Sequence, residues 1–124
     1  MHELSIVSSV VDTVVESAAA YPGARVKEVR LRVGALASVV VDSLEFCWEI
    51  VTEGTALEGS VLCVNVMPVI VWCVPCGREV TLDGVQSFRC PVCGESTMDI
   101  RQGREMEIES IEIDEMEETN EVKQ

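Results

Sequence analysis

The chain has 124 residues, a hydrophobic content of 48% and a formal net charge of −13. That is enough apolar material for a packed core, but with only 4% aromatic residues the core must be built from aliphatic side chains. The acidity excludes a phosphate-backbone partner, and no apolar run approaches the roughly 20 residues needed to cross a bilayer. The charge is uneven, since residues 103–124 hold nine acids against two bases. The segment 117–124 reads as a solvated acidic tail.

Near the N-terminus, Ser17-Ala18-Ala19-Ala20 has the small residues of a signal-peptidase site. Residues 2–10 carry no Lys or Arg, however, and Asp12 and Glu16 break the apolar stretch, which argues against secretion. The expected compartment is the cytoplasm, where six cysteines read as metal ligands and buried thiols rather than disulfides. Leu4, Val7, Val11, Val14 and Ala18 recur at helical spacing and predict an amphipathic helix over 4–21, stopped by Tyr21-Pro22-Gly23. Val29, Leu31 and Val33 alternate with Arg30 and Arg32, predicting a strand that ends at Gly34.

A second helix is expected from Asp42, an N-cap candidate with Glu45 three residues on. Leu44, Cys47, Trp48 and Val51 would line its buried face, with an end near Gly54. Val61 to Met67 is apolar on both faces and predicts a strand buried within a sheet, left at Pro68. In the last stretch Met106 and Ile108 alternate with glutamates, and Ile111 and Ile113 continue the pattern one residue out of step. A β-bulge near Glu109-Ser110 would reconcile the two halves. The predicted fold is α/β (α+β): a small mixed sheet with two helices and an inserted zinc-ribbon module. Residues 1–67 and 104–116 would form one domain and 68–103 the ribbon.

The strongest motif is a pair of knuckles, Cys73-Val74-Pro75-Cys76-Gly77 and Cys90-Pro91-Val92-Cys93-Gly94. Each pair turns two thiolates to one side of a tight turn, and each closing glycine can take positive φ. Facing each other, the turns make a closed tetrahedral site for structural Zn²⁺ at Cys73, Cys76, Cys90 and Cys93. Rubredoxin-like iron and a redox dithiol are the competing uses of the same spacing. Cys47 and Cys63 have no metal spacing and read as buried apolar thiols. A closed zinc site, a single histidine and no isolated activated cysteine argue against an enzyme.

That histidine is His2. A bulky second residue should protect Met1 from removal, and the Met1 amine, His2 amide and His2 imidazole can then close adjacent chelate rings. The Glu3 amide or carboxylate is available as a fourth ligand. Such an in-plane nitrogen set suits Ni²⁺ or Cu²⁺. The competing reading is a solvent-exposed residue at a chain end.

Taken together, Met1-His2-Glu3-Leu4-Ser5, Gly34-Ala35-Leu36, Leu44-Glu45-Phe46-Cys47-Trp48-Glu49, Gly54-Thr55, the two knuckles and Glu107-Ile108-Glu109-Ser110-Ile111-Glu112 resemble the HypA-type proteins. These are the nickel metallochaperones of NiFe-hydrogenase maturation, and the resemblance spans residues 1–113. It implies Ni(II) as transient cargo at His2, Met1 and Glu3, and Zn(II) as a structural ion at the four cysteines. The implied partners are a HypB-type GTPase and the hydrogenase large subunit, with urease served by some relatives, and the implied state is a monomer or weak homodimer. Some relatives carry histidines beside the cysteine pairs. Here Gly77 and Gly94 stand there, so histidine–cysteine exchange at the zinc is not expected. The other reading of the chain is a zinc-ribbon adaptor without a nickel role, in which residues 1–3 are dispensable.

Overall fold

The structure is a computed structural model and describes residues 3–84 and 87–114. Its order is α1 (Glu3–Ala18), β1 (Arg25–Gly34), a 3-10 turn (Ala35–Ala37), α2 (Val41–Thr52), β2 (Val61–Met67), β3 (Ile70–Cys73), β4 (Arg78–Thr81), β5 (Ile100–Gln102) and β6 (Met106–Asp114). The strands form two three-stranded sheets, ordered β2-β1-β6 and β4-β3-β5. The second sheet is therefore drawn from the chain between β2 and β6, both of which pair with β1, as the insertion reading expected. The α+β class expected from the periodicities is the class observed. No described helix is long and apolar enough to cross a membrane.

The chain clusters into two compact units. One takes the described residues up to Leu31, Val39–Cys63 and the described residues from Ile108; the other takes Arg32–Ser38 and Val64–Glu107. In the first unit, Val7, Val11 and Val14 of α1 are buried at helical spacing, as are Leu44 and Trp48 of α2. Val26, Val29 and Leu31 of β1, together with Leu57 and Leu62, complete its apolar interior. Leu4 departs from expectation: it lies in the first turn and is exposed. On α2 the buried stripe runs Leu44, Trp48, Thr52, while Cys47 and Val51 are half-buried. Thr52 satisfies its hydroxyl by donating to the Trp48 carbonyl oxygen at 2.6 Å, so a polar residue fits the buried turn. The Trp48 indole Nε1 donates to Ser60 Oγ at 3.0 Å.

Asp42 is not the cap of α2. The helix starts one residue earlier, Val40 holds the N-cap position in extended backbone, and no side chain of its own caps it. Asp42 sits in the first turn, where its charge still complements the positive end of the helix. The Val40 N–H donates instead to Glu3 Oε2 at 3.1 Å, a bond between residues 37 apart in sequence. At the other end Gly54 adopts φ +79°, and its N–H donates to Glu58 Oε1 at 3.1 Å.

β2 also corrects the sequence reading. Among the described residues it is an edge strand, and only Leu62 is buried. An apolar run fits an interior strand and an uncovered edge equally well, because periodicity cannot report which neighbours exist. In β6, Glu109 and Ser110 are both exposed between half-buried Ile108 and Ile111, so the burial slips phase where the isoleucine pattern does.

In the second unit two backbones touch. Gly34 N–H donates to Glu105 O at 2.7 Å, and Leu36 N–H to Gly103 O at 2.8 Å. A methyl group on Gly34 would run into the Gly103 carbonyl, with nothing flexible to yield. Gly34→Ala should therefore destabilise the protein by roughly 3 kcal/mol. Gly84 has open space around it, so Gly84→Ala should change stability by less than about 0.5 kcal/mol. Urea unfolding of the two variants checks the contrast, and equal midpoints would refute the close approach.

Candidate metal centre

The first knuckle is the turn of a hairpin. β3 and β4 pair antiparallel with Cys73 opposite Arg78 and buried Val71 opposite Val80. Gly77 N–H donates to Cys73 O at 2.8 Å, and Gly77 takes φ +65°. The second knuckle repeats this geometry: Gly94 N–H donates to Cys90 O at 2.8 Å with φ +80°. Arg89 and Ser96 bridge across its base. Both glycines do what the motif predicted, turning the chain where a side chain would be strained.

The two knuckles are tied together around Trp72. Its N–H donates to Asp99 O at 2.9 Å, while Thr97 Oγ1 donates to its carbonyl oxygen at 2.6 Å. The Arg101 guanidinium lies 4.9 Å from the Trp72 ring centroid. It also donates from Nε and Nη2 to the two Asp99 carboxylate oxygens at 2.9 and 3.0 Å. That pairing, which comes first, and the Arg101 charge hold the Asp99 carboxyl below its usual range. None of this was read from the sequence. The available signal was Trp72 immediately before the first cysteine.

The four thiols converge. Cys73 Sγ lies 3.4 Å from Cys93 Sγ, Cys76 Sγ lies 3.8 Å from Cys90 Sγ, and all four sulfurs fall within 4.8 Å of one another. A zinc–sulfur bond of about 2.3 Å places tetrahedral ligands about 3.8 Å apart, so the donor set fits Zn²⁺ in both chemistry and spacing. Cys73 and Cys90 are buried, Cys76 is half-buried and Cys93 is exposed.

Crowding spreads their acidities. Cys76 is pushed up to about 12, first by its hydrogen bond with Cys73 and then by burial. The Cys76 N–H draws Cys73 down, but burial and the neighbouring thiols outweigh it and leave that thiol raised. Cys90 is brought down to about 6 by the Cys93 N–H first, working against burial, with the Val92 N–H adding to it. Negative charge thus has one favoured seat, and four thiolates need a cation.

The sequence also singled out Met1, His2 and Glu3. Met1 and His2 lie outside the described residues, while Glu3 opens α1 and its carboxylate accepts the Val40 N–H. Cys47 and Cys63 are half-buried, not buried as expected. The Cys63 thiol is raised, chiefly by burial and next by the Glu28 carboxylate, to which it also hydrogen-bonds. Glu28 is meanwhile held by Arg30 Nε at 2.6 Å.

Zinc added to the reduced, metal-free protein at neutral pH should displace protons from Cys73 and Cys76, while Cys90 is already ionised. Zinc should then be lost as pH falls, because protons compete for every thiolate. Calorimetry in buffers of different ionisation enthalpy reads the proton count. Zinc uptake without proton release would refute thiolate ligation. Cys90→Ala should lose the zinc and unravel the β3–β5 sheet, read by metal analysis and circular dichroism.

The profile of a family described as "Hydrogenase/urease nickel incorporation, metallochaperone, hypA" matches residues 1–113. A hydrogenase maturation factor HypA from Chloroflexus aurantiacus is 46% identical over 113 residues, covering 90% of this chain and 98% of the relative. One from Azotobacter chroococcum is 39% identical over 115 residues, covering 92% and 100%. The solution structure of the Ni metallochaperone HypA from Helicobacter pylori superposes with a TM-score of 0.62 at 23% identity, covering 91% of this chain and 97% of that one, which speaks to the fold. The chain belongs to the HypA family of hydrogenase/urease nickel-incorporation metallochaperones.

Proposed function

We propose that this protein binds Ni²⁺ at its own N-terminus and delivers it to the NiFe-hydrogenase large subunit, acting with a HypB-type GTPase. The observation that carries the reading is the family match from residue 1, which includes the Met1-His2-Glu3 start. In this reading Met1 supplies its amine, and His2 its amide and imidazole. The described helix begins at Glu3, and the first amides of a helix have no intrahelical acceptor. Because the Glu3 carboxylate already accepts the Val40 N–H, the Glu3 amide is the better fourth ligand. The carboxylate ties Glu3 itself to the start of α2.

Zn²⁺ is the resident structural ion, held by Cys73, Cys76, Cys90 and Cys93 within a ribbon of residues 68–103. The nickel-handling domain is drawn from residues 1–67 and 104–116, of which Arg32–Ser38, Val64–Met67 and Arg104–Glu107 cluster with the cysteine-bearing unit. The chemistry is ligand exchange and not bond-making catalysis. Few, peripheral ligands hold nickel well enough to carry it and loosely enough for a partner to take it. Copper binds the same nitrogens more tightly, so selectivity rests on partners and metal supply. A cytoplasmic monomer or weak homodimer suits that role.

A Ni²⁺ titration of zinc-loaded protein with a free Met1 amine should show strong binding. One residue added before Met1 should abolish it. His2→Ala should do the same while zinc content and circular dichroism stay unchanged. Equal nickel affinity in all three proteins would remove the N-terminal site and leave a zinc-ribbon adaptor.

A further inference from the structure

We propose that the free edge of β2, with the acidic groove beside it on α2, is a docking site for an extended, basic and apolar segment of a partner protein, which adds as a fourth strand to the β2-β1-β6 sheet. Among the described residues β2 has a neighbour on one side only, β1. An unpaired edge presents a row of N–H and C=O groups that templates another strand. Proteins usually blunt such edges with charge, and the opposite edge does this: β6 carries Glu107, Glu109, Glu112 and Asp114. The seven residues of β2 carry no charge and no proline, and Val61 and Val66 are 55% and 49% exposed. Left open, such a strand invites aggregation; covered, it is an interface.

The occupant follows from the electrostatics next to the strand. A depression of about 310 Å³ is lined by Glu45, Trp48, Glu49, Ser60, Val61 and Leu62. A second, of about 400 Å³, shares Glu49 and Ser60 and adds Glu53 and Glu58. Four carboxylates thus border the start of β2, and among the described residues no Lys, Arg or His lines either depression. A second copy of this chain would bring the same acids to the same groove at −13 per chain, so symmetric β2 pairing is disfavoured. Residues 115–124, with four glutamates against one lysine, are equally mismatched. Alternating lysine and aliphatic residues satisfy both requirements. The backbone pairs with β2, lysines reach Glu45 and Glu49, and the apolar side chains meet Val61.

The probe is an acetylated, amidated heptapeptide of alternating lysine and valine, added to the zinc-loaded full chain. Its glutamate–valine twin is the control. Amide hydrogen exchange followed by NMR should show new protection along Val61–Met67 and none along Met106–Asp114, although β6 is the more acidic edge. The acidic twin should not bind. Glu45→Gln with Glu49→Gln, both on the exposed side of α2, should weaken binding roughly tenfold with circular dichroism unchanged. Protection of β6, binding without β2 protection, or no binding would each overturn the proposal. So would a dimer in sedimentation equilibrium whose β2 amides are protected before any peptide is added, since the occupant would then be a second copy.

Discussion

The convergence of four sulfur atoms carries the second unit of this structure more than its apolar packing does. The buried cluster of the second unit consists of Val69, Val71, Val80 and Leu82 with Cys73 and Cys90, so two of its six members are themselves ligand candidates. Its strands are only three and four residues long. Strands that short close too little surface to offset the conformational entropy of ordering them. Metal binding, worth on the order of 10–16 kcal/mol in small zinc-finger peptides, supplies what such a core lacks. The Trp72, Thr97, Asp99 and Arg101 contacts add alignment, fixing one knuckle against the other so that the ligands face a common centre.

The first unit is held differently, by side-chain burial between α1, α2 and β1, and one of its long-range polar contacts has an unusual position. Glu3 is the first described residue, yet its carboxylate serves the N-cap residue of α2. The N-cap residue of α2, with no side-chain cap from its own chain neighbours, is bonded instead by a side chain of another helix. In the functional reading, this places a rigid anchor one residue from the proposed nickel-binding histidine.

Much of this was legible in the residues. Val7, Val11 and Val14 fall on the buried face their spacing indicated, and both knuckles turn at the glycines the motif requires. What escaped was non-local. Asp42 and Glu45 have the local form of a capping pair, but the Val40 amide found a carboxylate 37 residues away. β4 and β5 are too short for any periodicity to show; the hairpin at the first knuckle sets the register of β4, and β5 pairs with the other side of β3 from beyond the second knuckle. Thr52 took the place expected of Val51 because back-bonding to Trp48 removed the cost of burying a hydroxyl. The apolar run of β2 looked like a strand covered on both sides, since composition does not reveal whether a neighbour is present.

The chain contains two tryptophans, and they fall one in each unit. Trp48 is buried with its indole N–H held by Ser60, whereas Trp72 adjoins the ligand candidate Cys73 beneath a guanidinium. Their emission should therefore separate by environment, the first blue-shifted and steady, the second sensitive to whatever happens at the sulfurs. Replacing either by phenylalanine isolates the other as an intrinsic fluorophore. The molecule thus carries its own optical reporters for following metal occupancy and helix packing independently, without an attached dye that would disturb the N-terminus.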